Sequence, residues 1–169
     1  DFLRWYKKPK NLAKYERPSL AIDVVIFGFN RDKRRLDVLL TRREKNPFRE
    51  FWSLPGRFAK STDHVEFLAT DNIEYETQAN VSEKNLQFVD IKSNPDRDPR
   101  GWIISVSFVG FVDEDSAKLR QNSAWFDAKK LPKNLAFDHA QIIAKARENL
   151  VFQIDWNKNI FSMLGQKFA

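Results

Sequence analysis

The order of apolar and polar positions predicts several β-strands separated by turns. The segment 19–29 is rich in β-branched and aromatic residues, as expected of a buried strand, and a turn at 30–33 leads into a second strand over 36–41. Alternating or apolar runs predict three further strands, at Leu86 to Lys92, Trp102 to Val112 and Ala124 to Phe126. We expect these segments to pair in one sheet.

Two segments have the three- and four-residue spacing of amphipathic helices. The first is predicted to begin at Asp63, with Thr62 or Asp63 as its N-cap, and to end between Gln78 and Val81. The second follows Asp138, which we expect to cap it. The apolar faces would consist of Val65, Leu68, Ala69 and Ile73 in the first helix and of Ile142, Ile143, Ala146 and Leu150 in the second. This order of elements predicts an α/β/α sandwich with a mixed sheet.

The chain length of 169 residues suits one domain with additional segments at its ends. We assign the domain to residues 19–150 and an N-terminal arm, interrupted by Pro9, to residues 1–18. Residues 151–169 form a tail with many large apolar side chains, which would be costly to leave in water. The tail is therefore expected to pack on its own domain, on a second subunit or on a further domain, and a homodimer is expected.

Composition excludes several classes of protein and site. No apolar run approaches the length of a membrane span, and we expect a cytoplasmic protein without membrane contact. The chain has no cysteine, which excludes disulfides, thiolate metal sites and thiol nucleophiles. Its formal net charge of +6 favours anionic partners such as nucleotides or nucleic acid.

Candidate chemistry begins where the second strand ends. Arg42 and Arg43 follow that strand directly, and they form either a solvated edge or part of an anion site covered by the next loop. The segment Phe51-Trp52-Ser53-Leu54-Pro55-Gly56 is a short strand stopped by a Pro-Gly turn just before the first helix. The turn commits the backbone before the helix, which supports the anion-site interpretation, while the solvated edge stays open for each arginine.

The stretch from Phe51 to Val81 resembles a Nudix box, the loop and helix that hold divalent metal on a diphosphate. In that alignment Arg57 takes the place of the box glycine. Active members carry three helix carboxylates that converge on Mg²⁺, and those positions hold Asn72, Tyr75 and Glu76 here. The resemblance therefore implies one retained carboxylate, Glu76, as the only metal ligand and catalytic group, and weak hydrolysis.

A shifted register offers one alternative. Asp71 and Glu74, three residues apart, could replace the lost pair of carboxylates. That register would rotate Ile73 towards solvent, so it is the poorer packing choice.

Two further segments, Arg97-Asp98-Pro99-Arg100-Gly101-Trp102 and Leu135-Ala136-Phe137-Asp138-His139, resemble the Nudix-related transcriptional regulators of NAD metabolism. In that family a degenerate Nudix domain senses ADP-ribose or a related nucleotide, and a C-terminal winged-helix domain binds DNA. The resemblance implies a ligand site formed by Arg42, Arg43, Arg57, Phe58, Arg97, Arg100, Phe137 and His139. Any contact with DNA would need a winged-helix domain after residue 169.

Several of these residues have a structural alternative. Arg97 would hold its own loop if it paired with Asp96 or Asp98. His139 in a first helical turn is more often structural than ligand-binding.

Three functions follow from these patterns. The first is a weak or inactive Nudix-like sensor that binds ADP-ribose or a related nucleoside diphosphate derivative and needs no cofactor. The second is an active Mg²⁺-dependent hydrolase of such compounds, with Glu76 as catalytic residue. The third, based on the apolar ends, is an oligomerisation domain.

Overall fold

The computed structural model describes residues 1–156, apart from the side chains of Leu12 and of residues 152–156. Of the apolar tail predicted over 151–169, residues 151–156 belong to the last helix, and residues 157–169 lie outside the described residues.

The sheet has seven strands and mixed pairing. The strands are β1 (Ser19–Asn30), β2 (Arg35–Arg42), β3 (Trp52–Ser53), β4 (Gly56–Phe58), β5 (Gln87–Lys92), β6 (Ile103–Val112) and β7 (Ser123–Asp127). The main order is β3-β2-β1-β6-β5, with β4 paired to β1 and β7 paired to β2. Only the β1–β6 pair among these described strands is parallel. The predicted mixed sheet is confirmed.

Two helices cover the sheet, and two short ones precede it. The covering helices are α3 (Val65–Thr77) and α4 (His139–Trp156), while α1 (Phe2–Tyr6) and α2 (Pro9–Leu12) lie in the N-terminal arm. Short 3₁₀ turns occur at Glu83–Asn85 and Pro95–Arg97. No helix among residues 1–156 has the length and apolar character needed to cross a membrane.

A separate apolar core lies on each face of the sheet, because successive side chains of β1 point to opposite sides. Val25 and Phe27 face α4 and pack with Ile142, Ile143 and Ala146. The α3 side contains Ile22, Val24, Ile26, Leu68, Ala69 and Ile73. Helix, sheet and helix thus form the predicted α/β/α sandwich.

The predicted N-cap of α3 is wrong, whereas Asp138 directly precedes the first residue of α4, as predicted, and its backbone carbonyl accepts a hydrogen bond from the Ile142 N–H at 3.3 Å. The cap of α3 is His64, and it makes no side-chain capping bond. Asp63 instead accepts a hydrogen bond from the Lys60 backbone N–H at 2.8 Å, which closes a turn before the helix. The Asp138 carboxylate likewise binds the side chain of Arg97.

Candidate ligand-binding site

A cavity of about 520 Å³ opens at the end of the sheet where β2 ends and β1 begins. The β3–β4 turn, one face of α3, the 93–101 loop and the start of α4 surround it. All nine predicted site residues line this cavity: Arg42, Arg43, Arg57, Phe58, Glu76, Arg97, Arg100, Phe137 and His139. Segments far apart in sequence therefore meet at one site.

Glu76 lies on the α3 wall of the cavity and is only 8% exposed. The Ser123 hydroxyl donates a 2.6 Å hydrogen bond to one of its carboxylate oxygens. Burial raises the pKa of Glu76, and the hydrogen bond from Ser123 and the charges of Arg120 and Arg57 oppose that rise only in part. The surroundings thus favour the protonated carboxyl more than water does.

Replacing Glu76 by glutamine is expected to remove a pH-dependent loss of stability. Because burial raises the folded-state pKa, the contribution of Glu76 to stability is complete below the ordinary glutamate pKa and is lost as the pH rises through the folded-state value. Wild type should therefore lose free energy of unfolding relative to Glu76→Gln as the pH rises above the ordinary glutamate pKa of about 4.3. Urea unfolding followed by tryptophan fluorescence measures this difference, and a difference independent of pH would contradict the prediction.

Arg57 stands beside the other two box positions of α3. Its Nε donates to Asn72 Oδ1 at 2.9 Å, and its Nη1 donates to the Asp71 carboxylate. The guanidinium carbon lies 5.9 Å from the centre of the Tyr75 ring. A second guanidinium, that of Arg120, lies 3.9 Å from the same ring centre. Positive charge therefore surrounds the positions where a metal-binding box carries carboxylates.

The residues at this end of the cavity do not fit a divalent metal. Mg²⁺ prefers several oxygen ligands in octahedral geometry, usually including carboxylates. Here the Asn72 oxygen already accepts a hydrogen bond from Arg57, and one oxygen of Glu76 already accepts a hydrogen bond from Ser123. Over residues 1–156, no three His, Asp or Glu side chains come together in a group that could hold a metal ion. Among the described residues of α3, Glu76 is the one carboxylate that lines the cavity, and its predicted catalytic and metal-binding roles stay predictions.

The shifted register is excluded by packing. Ile73 is completely buried in the core on the α3 side. Glu74 is exposed, and Asp71 is tied to Arg57. The alignment that places Asn72 and Glu76 towards the cavity is therefore the one that the helix adopts.

The opposite wall of the cavity is a cluster of arginines and aromatic rings. The guanidinium carbons of Arg43 and Arg100 lie 4.8 and 5.6 Å from the centre of the Phe137 ring. Arg100 also lies 4.9 Å from the Phe58 ring. The Arg43 pKa is lowered, first by burial and then by the charge of Arg100. An anion that approached both guanidinium groups would relieve this repulsion.

The arginines of the cavity differ in whether they already pair with a carboxylate. Arg100 is 40% exposed and pairs with the buried carboxylate of Asp98. Arg42 pairs at 2.7 Å with Glu50, and both side chains are exposed, so this pair is weak. Arg43 donates its Nε to the Pro47 carbonyl at 2.8 Å, which leaves its charge without a carboxylate in direct contact.

Arg97 has a structural role, but not through the partners expected from sequence. Its side chain is 4% exposed, and its Nε and Nη2 donate to both oxygens of Asp138, the first at 2.9 Å. Its Nη2 also lies 3.6 Å from Asp23. Pairing with Asp96 or Asp98 was the wrong expectation, because the loop turns Arg97 inward towards α4. Arg97 joins the 93–101 loop to the start of that helix.

His139 is buried against the turn that precedes Arg57. The Leu54 backbone N–H donates to its Nδ1 at 2.8 Å, so the ring proton is on Nε2, which lies 3.6 Å from Asp23. Burial lowers the His139 pKa, and the nearby Asp23 opposes the shift. Neutral His139 therefore positions the Leu54-Pro55-Gly56 turn, and its predicted ligand contact stays a prediction.

Sequence analysis did not identify three residues that shape the site. Asp23 lies inside an apolar strand and accepts a hydrogen bond from Ser105. Ser123, the first residue of β7, and Arg120, in the connection before it, both contact side chains of α3. A charged residue within a buried apolar run was the one available signal for Asp23; the other two had none.

No protein-family model matches the chain. The chain is 35% identical over 144 residues to an ADP-ribose pyrophosphatase of Methanocaldococcus jannaschii, covering 80% of this chain and 79% of that protein. It is 27% identical over 150 residues to the ADPR-responsive transcriptional repressor NtrR of Acinetobacter baylyi, covering 86% of this chain but 58% of the repressor.

Solved structures show the same fold. A MutT/nudix family protein of Enterococcus faecalis matches with a TM-score of 0.81 and 32% identity, over 97% of this chain and 73% of that one. The Nudix domain of Shewanella oneidensis NrtR, solved in complex with ADP ribose, matches with a TM-score of 0.71 and 25% identity, over 88% of this chain and 97% of that one. The chain therefore belongs to the Nudix family and is related to the NrtR-type regulators.

Proposed function

We propose that this Nudix domain binds ADP-ribose or a related nucleoside diphosphate derivative without hydrolysing it. The observation that carries the proposal is the composition of the cavity. Arginines line both of its walls, while the helix that would hold metal offers one carboxylate, Glu76, in surroundings that favour its proton. Binding of an anion is favoured, and the groups that would activate a water molecule on a metal are missing.

The arrangement of rings and charges suits the parts of such a ligand. Phe58 is 43% exposed beside Arg100, so one face of its ring can stack on a base. Arg43 and Arg100 both lie beside the Phe137 ring on one wall of the cavity and can each contact a phosphate oxygen. The relatives named after ADP-ribose, and the NrtR domain solved with it, support this choice of ligand.

A site that binds a nucleotide without hydrolysing it suits a regulatory role. The match to an ADPR-responsive repressor covers 150 residues, and the chain spans 58% of that protein. We propose that the domain acts as the ligand sensor of a transcriptional regulator, with DNA bound by a different domain. The coding sequence beyond residue 169 tests this role: a basic winged-helix pattern would support it, and a stop codon after residue 169 would contradict it.

Isothermal titration calorimetry in EDTA tests the ligand. ADP-ribose is expected to bind with a dissociation constant on the order of micromolar. Arg43→Ala is expected to weaken binding about tenfold, because the lost bond is assisted by charge. Arg31→Ala is the matched control, since Arg31 is exposed at the far end of β1. If ADP-ribose, ADP, AMP and NAD all failed to bind wild type, the proposal would be wrong.

A hydrolase is the second candidate, and the 35% identity to an ADP-ribose pyrophosphatase favours it. This activity would use Mg²⁺ and depend on Glu76, the one box-helix carboxylate at the cavity. It predicts AMP release from ADP-ribose that needs Mg²⁺ and disappears in Glu76→Gln. Release that the substitution left unchanged would remove Glu76 from the mechanism.

A further inference from the structure

The part of the cavity beside Asn72, Tyr75 and Glu76, where a Nudix box holds its metal, contains a positively charged side chain instead of negatively charged ones. In a metal-binding box, acceptor oxygens surround a cation, whereas here a cationic donor, Arg57, points into the same place and binds the acceptor oxygen of Asn72 at 2.9 Å. The side chain of Arg57 is 34% exposed and lines the cavity. The guanidinium thus lies among the three positions at which the Nudix box carries its carboxylates: Asn72, Tyr75 and Glu76.

The contacts of Arg57 hold its guanidinium in place but leave some of its N–H donors for a ligand. A guanidinium has five N–H donors, and the contacts described for Arg57 use its Nε, towards Asn72, and its Nη1, towards Asp71. Its Nη2 remains for a ligand. The Asp71 side chain is 41% exposed, so its ion pair with Arg57 is weak and a phosphate can compete for the guanidinium.

Asn72 gives independent support. Its side chain is buried, and because its oxygen accepts from Arg57, its amide nitrogen must point elsewhere. That Nδ2 has no hydrogen-bond partner in the structure. A buried donor without a partner is costly, and an acceptor oxygen can satisfy it whereas a metal cation cannot. The amide at this position therefore offers no free acceptor oxygen to a cation.

We propose that Arg57, held in place by Asn72 and Asp71, takes the position of the divalent cation and binds a phosphate group of the ligand directly. The proposal deepens the proposed function, on which it rests for the identity of the ligand. It assigns the box-glycine position a new chemical role: a fixed guanidinium supplies the positive charge that the enzyme family obtains from metal. Binding is then independent of divalent ions.

Calorimetry with inorganic pyrophosphate and with ADP-ribose tests this role. Wild type is expected to bind each probe equally, within about twofold, in EDTA and in Mg²⁺. Arg57→Ala is expected to lose about tenfold or more for both probes, since a charge-assisted bond is lost. Arg31→Ala should bind like wild type. Wild-type binding that required Mg²⁺, or Arg57→Ala binding at wild-type strength in EDTA, would overturn the proposal.

Restoring the box tests the position of Arg57 without any nucleotide. The triple variant Arg57→Gly, Asn72→Glu, Tyr75→Glu is expected to bind Mn²⁺, measured by electron paramagnetic resonance of the free ion. The double variant Asn72→Glu, Tyr75→Glu keeps the guanidinium and is expected to bind Mn²⁺ at least tenfold more weakly, because two cations would compete for one site. Equal Mn²⁺ binding by the two variants would contradict the proposal.

The experiments distinguish the proposed ligand from the proposed role of Arg57. If pyrophosphate binding depends on Arg57 but no nucleotide binds, the proposed ligand is wrong and the role of Arg57 stands. If ADP-ribose binds wild type and Arg57→Ala equally, the proposed function stands and the role of Arg57 is wrong.

Discussion

Arg97→Met is expected to lower the free energy of unfolding by about 3–5 kcal/mol, the usual cost of removing one partner from a buried ion pair. Arg97 is 4% exposed and neutralises Asp138, with Asp23 at 3.6 Å. Without the guanidinium, both carboxylates would stay buried without their cation. Thermal unfolding followed by circular dichroism should show a midpoint lowered by about 10 °C or more.

Two variants separate this cause from the general loss of an arginine. Arg31→Met removes exposed pairs with Asp113 and Asp115 at 3.7 and 3.5 Å, and it is expected to change stability by no more than about 0.5 kcal/mol. Adding Asp138→Leu to Arg97→Met removes one of the two carboxylates left without a cation. The double variant should regain part of the lost free energy of unfolding. If Arg97→Met cost no more than Arg31→Met, the buried pair would not hold the loop to α4.

Gly56→Ala is expected to cost about 2–3 kcal/mol and to abolish measurable ligand binding. A Cβ at Gly56 would lie 2.5 Å from the Asp23 carboxylate and 2.7 Å from the Ile22 carbonyl oxygen. The carbonyl is backbone in the centre of the sheet, and the carboxylate is held by Ser105. Strand β4 must therefore move away from β1, and the guanidinium of Arg57, the next residue, moves with it. Denaturant unfolding and ADP-ribose calorimetry measure the two effects.

Gly28→Ala is the matched substitution on the same sheet. Its Cβ would meet side-chain atoms of Trp125 and Glu114 at 3.0 to 3.2 Å, which can shift by a few tenths of an ångström. Gly28 is near the end of β1 away from the cavity. We expect a smaller loss of stability and unchanged ligand binding. A cost as large as that of Gly56→Ala would show that the close contact with Asp23 and Ile22 is not the cause.

The fold could be predicted because short stretches of sequence show which residues of each strand and helix are buried. The apolar run of β1 and the spacing of Val65, Leu68 and Ile73 each report a burial pattern that the backbone period requires. The ends of the helices were less predictable, since Asp63 and Asp138 have the side chains of good N-caps but bind other partners. The Asp63 carboxylate closes a local turn with Lys60, whereas the Asp138 carboxylate makes a tertiary contact with Arg97.

The candidate site was predictable as a set of residues but not as a set of contacts. The resemblance placed Arg57 and Glu76 on the box, yet no local pattern shows that Arg57 binds Asn72 or that Ser123 reaches Glu76. Those contacts join segments 15 and 47 residues apart. They follow from the pairing of β4 with β1 and of β7 with β2, which the sequence does not specify.

The central claim is that the site binds the diphosphate of its ligand without metal and without cleaving it. Phosphorus NMR of ADP-ribose, mixed with an excess of the protein first in EDTA and then in Mg²⁺, tests binding and cleavage in one sample. The account predicts that the diphosphate resonances shift or broaden in EDTA and that no monophosphate resonance appears after Mg²⁺ is added. Unchanged diphosphate resonances in EDTA, followed by AMP and ribose 5-phosphate after Mg²⁺, would contradict it.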